Sequence, residues 1–345
     1  MRRNSAIAGF VLLVLAAAGW SVFWFQAAGE ASTRVATWAA QQRADGLVAE
    51  YGTVEVGGFP LRWRVRIESP RMAGAGSTQW EWRGSTIVLD LRPWAMRDVL
   101  ILLPGEHQLT AGNGESRRVL VVAARRPEGQ VQLDAEGKLA RLALDLGEIE
   151  LSEPPATGKS RIARAQIELA PHRGPEATYR TDTLDSMIRI EELVLASPPR
   201  TGLGARVVRA ELDTSFKGRL PPGPLAKSVA AWRDDGGTIE VNRLALLWGP
   251  LDLDGSGTLA LDPANRPLGA FTARVRGYAE TVDAFAGAGL VRPRDAAGVK
   301  LALNLFAKQG ENGKPNELVV PLTAQDGRLA IAGFNLFRLD PLKFE

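Results

Sequence analysis

Two hydrophobic rhythms divide this chain. From Ile7 to Phe25 no residue is charged and most are apolar; Trp20, Phe23, Trp24 and Phe25 crowd the far end, and Arg2 and Arg3 stand ahead of the run. As a helix at ~1.5 Å per residue the run is about 28 Å long, close to the ~30 Å hydrocarbon core of a bilayer, so it can cross once. Secretory h-regions are usually only about 7 to 15 residues long, which favours a retained anchor. Cleavage is the alternative, because Ala27, Ala28 and Gly29 ahead of Glu30 form an acceptable small-residue site. Arginines on one side of the span and aromatics on the other predict a cytoplasmic N-terminus, with the bulk of the chain exported.

Glu30 to Val48 continues as a helical stem: Val35, Trp38, Ala39, Gln42 and Leu47 recur at near-helical spacing without proline. Beyond it the period changes to two. Val54 and Val56 alternate with polar neighbours; Leu61, Trp63, Val65 and Ile67 alternate with Arg62, Arg64, Arg66 and Glu68; Trp80 and Trp82 flank Glu81. The pattern recurs at Ile87–Leu91, Val119–Val122, Val131–Leu133, Leu142–Leu146, Ile149–Leu151, Ile162–Leu169, Ile188–Leu195 and Val207–Phe216. It returns at Ile239–Trp248, Leu251–Leu253, Thr258–Leu261, Phe271–Val275, Leu318–Leu322 and Leu329–Phe337. Three stretches read as helical: a short one at Trp94–Leu103, then Pro224–Trp232, then Ala279–Lys308 broken at Pro293, with a strand as the alternative for its second half.

The resulting fold class is mainly β: a long, curved, largely antiparallel sheet behind an N-terminal transmembrane helix, with a few peripheral helices. The implied organisation is an anchor over 1–29, a stem over 30–48 and a β-rich domain over 49–345, with a soft boundary near 197–224 where Pro198-Pro199 and Pro221-Pro222 fall. About 16 strands at ~4.8 Å spacing would extend roughly 75 Å.

Composition narrows the chemistry. No cysteine is present, which removes disulfides, thiol catalysis, thiolate metal sites and cysteine-linked lipid. The net charge is only +3 and the arginines are scattered among acids, so nucleic acid is not an expected partner. His107 and His172 both sit beside turn signals and read as solvated loop residues. Asp134, Asp145, Asp252, Asp254 and Asp262 read as residues near strand ends that make turns or solvate an edge, in a spacing that fits no calcium loop. Ser256, in Asp254-Gly255-Ser256-Gly257, lacks the spacing of a nucleophile elbow and reads as a hairpin turn. Gly255-Ser256-Gly257 and Gly202-Leu203-Gly204 do not open helices, so they are not dinucleotide fingerprints. The expectation is a non-enzymatic protein with no cofactor and no metal.

Gly57-Gly58-Phe59-Pro60-Leu61-Arg62, after an exported anchor and helix, resembles the Gly-Phe-Pro element of the bacterial family called domain of unknown function 2125. The C-terminal third resembles that family too, through Trp248-Gly249-Pro250-Leu251, Gly257 to Asp262, Gly269, Pro321-Leu322 and Asp326-Gly327-Arg328-Leu329. The layout is also similar to AsmA-like envelope proteins, in which an inner-membrane anchor carries a long curved sheet with an apolar groove implicated in lipid transit. The first family has no established activity to carry over, and the second resemblance implies lipid binding or transfer. Candidate groove residues are Trp63, Trp80, Trp82, Leu246, Trp248 and Phe271, and candidate head-group contacts are Arg62, Arg64 and Arg66. Membrane lipids are the implied partners. The alternative is a structural or assembly factor whose apolar face docks on other envelope proteins.

Overall fold

The computed structural model describes residues 2–74, 79–112, 114, 117–171, 183–221, 225–308, 316–331, 334–342 and 344. Helix α1 (Arg2–Ala44) is continuous. It ends before the expected Val48 because Gly46 takes a φ of 88°, which turns the chain back into β1 (Leu47–Glu50) and β2 (Val54–Gly57). There follow β3 (Trp63–Glu68), β4 (Arg71–Gly74), β5 (Trp80–Gly84), β6 (Thr86–Arg92), β7 (Ala95–Leu102) and β8 (Glu106–Ala111). The longer β9 (Arg118–Leu133), β10 (Leu139–Ser152), β11 (Lys159–Pro171), β12 (Thr183–Val194) and β13 (Arg206–Lys217) come next. After α2 (Leu225–Asp234) come β14 (Thr238–Trp248), β15 (Leu251–Leu261) and β16 (Pro267–Arg276). Two helices, α3 (Tyr278–Gly287) and α4 (Pro293–Phe306), precede β17 (Ala307–Lys308), β18 (Glu317–Gln325), β19 (Arg328–Ile331) and β20 (Phe334–Arg338).

Among the described residues, these twenty strands form one open antiparallel sheet. From β9 to β16 each strand pairs with the next in sequence, β16 then pairs with β18, and the ladder continues through β13 and β14 across the proline-rich region. The first eight strands are halves of four longer crossings. One unbroken register joins Leu47↔Gly74 and Glu50↔Arg71 to Val54↔Ile67 and Gly57↔Arg64, so β1 with β2 faces β4 with β3 across a shared interruption. The same holds for β4 and β3 against β5 and β6.

This interruption does not stop at the fourth crossing. It runs on as a missing rung at Arg125/Glu148, between Gly147↔Arg126 and Ile149↔Ala124, and again at Ala163/Glu192, between Arg164↔Glu191 and Ile162↔Leu193. Ser69, Glu148 and Glu192 on this line hold positive φ values of 46°, 53° and 54°, and Gly105 holds 86°. The result is a transverse crease. A residue in the left-handed region inverts the pleat, so the apolar set changes parity there. In β10 it moves from Leu142, Leu144 and Leu146 to Ile149 and Leu151, and in β12 from Ile188 and Ile190 to Leu193. The two sets pack together: Ile149, Ile162 and Ala165 form a buried cluster with Leu146, Leu151, Val122, Ala124, Ile190 and Leu193 around it.

The crease explains why Leu142–Leu146 and Ile149–Leu151 read as two strands when they are one, and why Val119–Val122 and Val131–Leu133 belong to the single β9. Leu251–Leu253 and Thr258–Leu261 likewise merge into β15, where Ser256 pairs with Thr272 in mid-strand instead of turning. Trp94–Leu103 is not helical: β7 pairs with β6 on one side and β9 on the other, and apolar residues on both of its faces hide its alternation. Both helices of the Ala279–Lys308 stretch form, with Pro293 in the first turn of α4. Pro222, Pro224 and His172 lie outside the described residues.

Candidate functional site

Cross-strand partners share a sheet face, so the registers assign one face to every strand. Starting at Val56, the pairs Val56↔Val65, Val65↔Leu89, Leu89↔Ile101 and Ile101↔Gly129 lead to Gly129↔Leu144 and Leu144↔Ile167. The row continues through Ile188, Leu212, Leu244, Gly255 and Ala273 to Val320. Parallel rows carry Leu146, Ala165, Ile190, Ala210, Leu246, Leu253 and Val275. One face of the whole sheet is therefore apolar.

Among the described residues, no second layer of comparable extent covers it. The accessible surface is 22021 Å² for 37.1 kDa, whereas the size scaling of compact monomers gives roughly 13,600 Å². No large side chain is below 2 % exposure among the described residues. On the apolar face Leu184, Ile188 and Leu244 stand at 38 %, 37 % and 40 %. Helices cover it locally: α3 and α4 lie against β15 and β18, where Leu318 is buried opposite Val275. Trp24 and Ala28 of α1 bury Trp63 beside Val56 and Leu91, and Trp232 of α2 stacks on Phe216 with ring centroids 4.9 Å apart while its Nε1 donates to the Lys217 carbonyl at 2.8 Å.

All six apolar candidates lie on this face, in separate places. Leu246, Trp248 and Phe271 belong to adjoining strands, opposite Leu253, Leu251 and Gly257. The ring of Phe271 lies over Gly257, where a Cβ would come within 2.5 Å of it. Trp248 is tethered at the sheet margin, its Nε1 donating to Gly204 O at 3.0 Å. Trp80 and Trp82 sit beyond the crease on β5, and Trp82 stacks on His107 at 5.9 Å. Trp63 is buried under α1 and is not available to a ligand.

His107 is no loop residue. It sits in β8, its Nε2 is 3.0 Å from Leu103 O, which only accepts and therefore places the proton on Nε2, and its Nδ1 is buried without a partner. The Trp82 ring and the bare Gly84 beneath it were the available signals, but only pairing of β5 with β8 juxtaposes them.

The opposite face is a ladder of ion pairs. Arg64 and Arg66 point to this face; Arg64 holds Asp90 at 2.7 Å together with Arg62 at 3.3 Å, and Arg66 reaches Glu68 at 3.3 Å. Farther along, Arg141 meets Glu168 at 2.6 Å, Arg164 meets Asp145, Arg243 meets Glu211 at 3.2 Å, and Arg276 bridges Asp252 at 3.2 Å and Glu317 at 3.0 Å. Asp145 and Asp254 are thus ion-pair partners within strands, Asp252 lies near the start of β15 and pairs with Arg276, and Asp134 and Asp262 do close turns by accepting backbone N–H groups of Lys138 and Arg266, both at 2.8 Å. Hydrogen bonds from arginine hold the Glu168 and Asp145 carboxyls below the ordinary carboxylate range, and Arg83 followed by Arg71 does the same to Glu81. A trough of about 730 Å³ on this side is walled by Glu168, Asp185, Asp213 and Glu240 with Lys217.

The three arginine candidates therefore sit across the sheet from the apolar candidates, already engaged with carboxylates. No curated protein and no solved structure matches the chain. A family model described as an uncharacterised protein conserved in bacteria matches residues 24–340, and on that match the chain belongs to the bacterial family domain of unknown function 2125.

Proposed function

We propose that this chain is a single-pass envelope protein of AsmA-like character, held in the bacterial inner membrane by α1 with its N-terminus cytoplasmic and its sheet in the periplasm. In this reading its apolar face holds or passes the acyl chains of membrane lipids, and the protein is a carrier rather than an enzyme. The observation that carries the reading is the apolar face itself, continuous from β2 to β18 and, among the described residues, lacking a second layer of comparable extent, beside a helix long and apolar enough to span a bilayer. Burial of a chain on such a surface gains up to about 0.8 kcal/mol per CH₂ and is indifferent to the head group. Roughly fifteen crossings at ~4.8 Å extend about 70 Å, less than two bilayer thicknesses of ~40–45 Å, which favours relay to partners over a solo bridge.

The test is native mass spectrometry, with lipid extraction, on residues 30–345 purified without detergent. Co-purified phospholipid above a matched soluble control supports the reading. A lipid-free sheet that captures envelope proteins instead would favour an assembly factor.

A further inference from the structure

The two hairpin tips nearest α1 differ from the next one along the same sheet margin. The β2–β3 tip carries Phe59 and Leu61 at 48 % and 62 % exposure, and the neighbouring β6–β7 tip carries Trp94 and Met96 at 66 % and 57 %. The next tip on this margin, between β9 and β10, is Asp134-Ala135-Glu136-Gly137-Lys138, which is polar. Exposed tryptophan, phenylalanine, leucine and methionine on two adjoining turns lose hydration free energy in water unless something apolar receives them.

What receives them is indicated by how the first tip is pinned. Trp20 Nε1 donates to Pro60 O at 2.9 Å and Trp24 Nε1 donates to Arg62 O at 3.0 Å. Phe25 and Phe59 stack at 5.7 Å with 15° between their planes. Trp20, Trp24 and Phe25 are the outer end of the apolar run, and Phe10, Leu12, Leu13 and Leu15 beyond the tip are 66–71 % exposed. The other end of α1 lies at the opposite margin, where Arg43 reaches Ala49 O at 3.4 Å. The helix thus runs along the first crossing and leaves the sheet at the margin that holds these tips. Its hydrogen bonds fix the β2–β3 tip level with the last turns of the span.

We propose that the Phe59–Leu61 and Trp94–Met96 tips insert into the interfacial layer of the outer leaflet of the membrane that α1 crosses. The two tips and the helix then form a three-point seat that sets the sheet margin, and with it the start of the apolar face, at the lipid surface. Exposed Arg92 and Arg97 flank the second tip, with Asp98 beside them, and the arginines suit anionic phosphate at that depth. This seat rests on the single-pass reading of α1 but not on lipid carriage.

The chain has no cysteine, so one introduced cysteine gives one label. Trp94→Cys, Met96→Cys, Leu13→Cys and Glu136→Cys, each carrying an environment-sensitive fluorophore, are placed in the full chain reconstituted in vesicles of equal parts phosphatidylcholine and phosphatidylglycerol. Brominated lipid is the quencher. The expected result is blue-shifted, quenched emission at positions 13, 94 and 96 and unquenched aqueous emission at 136. Quenching at 13 with aqueous emission at 94 and 96 overturns the seat alone. Aqueous emission at 13 as well overturns the anchor and the seat together.

Discussion

The Trp63 indole donates to the Trp24 carbonyl at 3.3 Å, while the Trp24 indole donates to the carbonyl of Arg62 at 3.0 Å. Each tryptophan thus holds the backbone at the other, and both are buried, Trp24 at 2 % and Trp63 at 6 % exposure. This brace joins α1 to the sheet.

Trp63→Ala should therefore cost about 3–5 kcal/mol, the usual loss for a large buried aromatic. Trp63→Phe keeps most of the packing and loses mainly a hydrogen bond, about 1 kcal/mol. Urea unfolding of the full chain in micelles measures both. Equal losses would mean that the hydrogen bond, not the packing, dominates.

The crease should respond to backbone chemistry in an unusual order. Glu148 holds a φ of 53° and its ion pairs to Arg125 and Arg126 are long and exposed, at 3.5 and 3.8 Å. A left-handed residue costs roughly 1–2 kcal/mol except at glycine, whereas an exposed ion pair contributes about 0–1 kcal/mol. Glu148→Gly should leave the unfolding midpoint unchanged or raise it, and Glu148→Val should lower it by about 1–2 kcal/mol. A valine variant as stable as the glycine variant would show that the residue is not held left-handed in solution.

Leu246→Glu separates an open face from a sealed core. Leu246 is half-buried between Ala210 and Leu253 on the apolar face. In a sealed core an unpaired carboxylate prevents folding. On an open face the side chain can reach water, so the variant should keep its circular dichroism and, under the proposed lipid-carrying function, lose most of the lipid that the unaltered chain co-purifies. Intact lipid binding in a folded variant would remove this position from the lipid path.

Acid should weaken the sheet from its ion-pair face. Glu81, Asp145 and Glu168 have folded pKa values below their ordinary range because arginines donate to them. Groups lowered in the folded state stabilise fully above the unfolded carboxylate values of about 4, and that contribution is lost as pH falls through the lower folded values. The melting temperature should be flat from about pH 7 to 5 and fall below about pH 4, with a smaller fall in Glu168→Gln. A melting temperature that drops between pH 7 and 5 would implicate other groups.

One uncharged apolar run was enough to read the span of α1, and alternation of period two was enough to read the β-rich class, most strand positions and the one-sided placement of Trp80, Trp82, Leu246 and Phe271, because a strand buries every second residue whatever its partners. Local sequence does not contain the crease. Glu148 and Glu192 are ordinary glutamates, and only the alignment of interruptions across neighbouring strands makes their left-handed backbone part of one line. Nor could it separate β7 from a helix, since pairing on both edges overrode the local pattern.

The site shows the same division. That Arg64 and Arg66 oppose Trp63 and Val65 follows from the pleat alone; that Asp90 occupies Arg62 and Arg64, and that α1 seals Trp63, depends on strands and a helix brought from 26 to 39 residues away. Sequence by itself determined which side of most strands is apolar, β7 excepted. Tertiary structure decided which parts of that side are covered, because covering is a long-range contact whose entropic cost is met only when the whole sheet assembles.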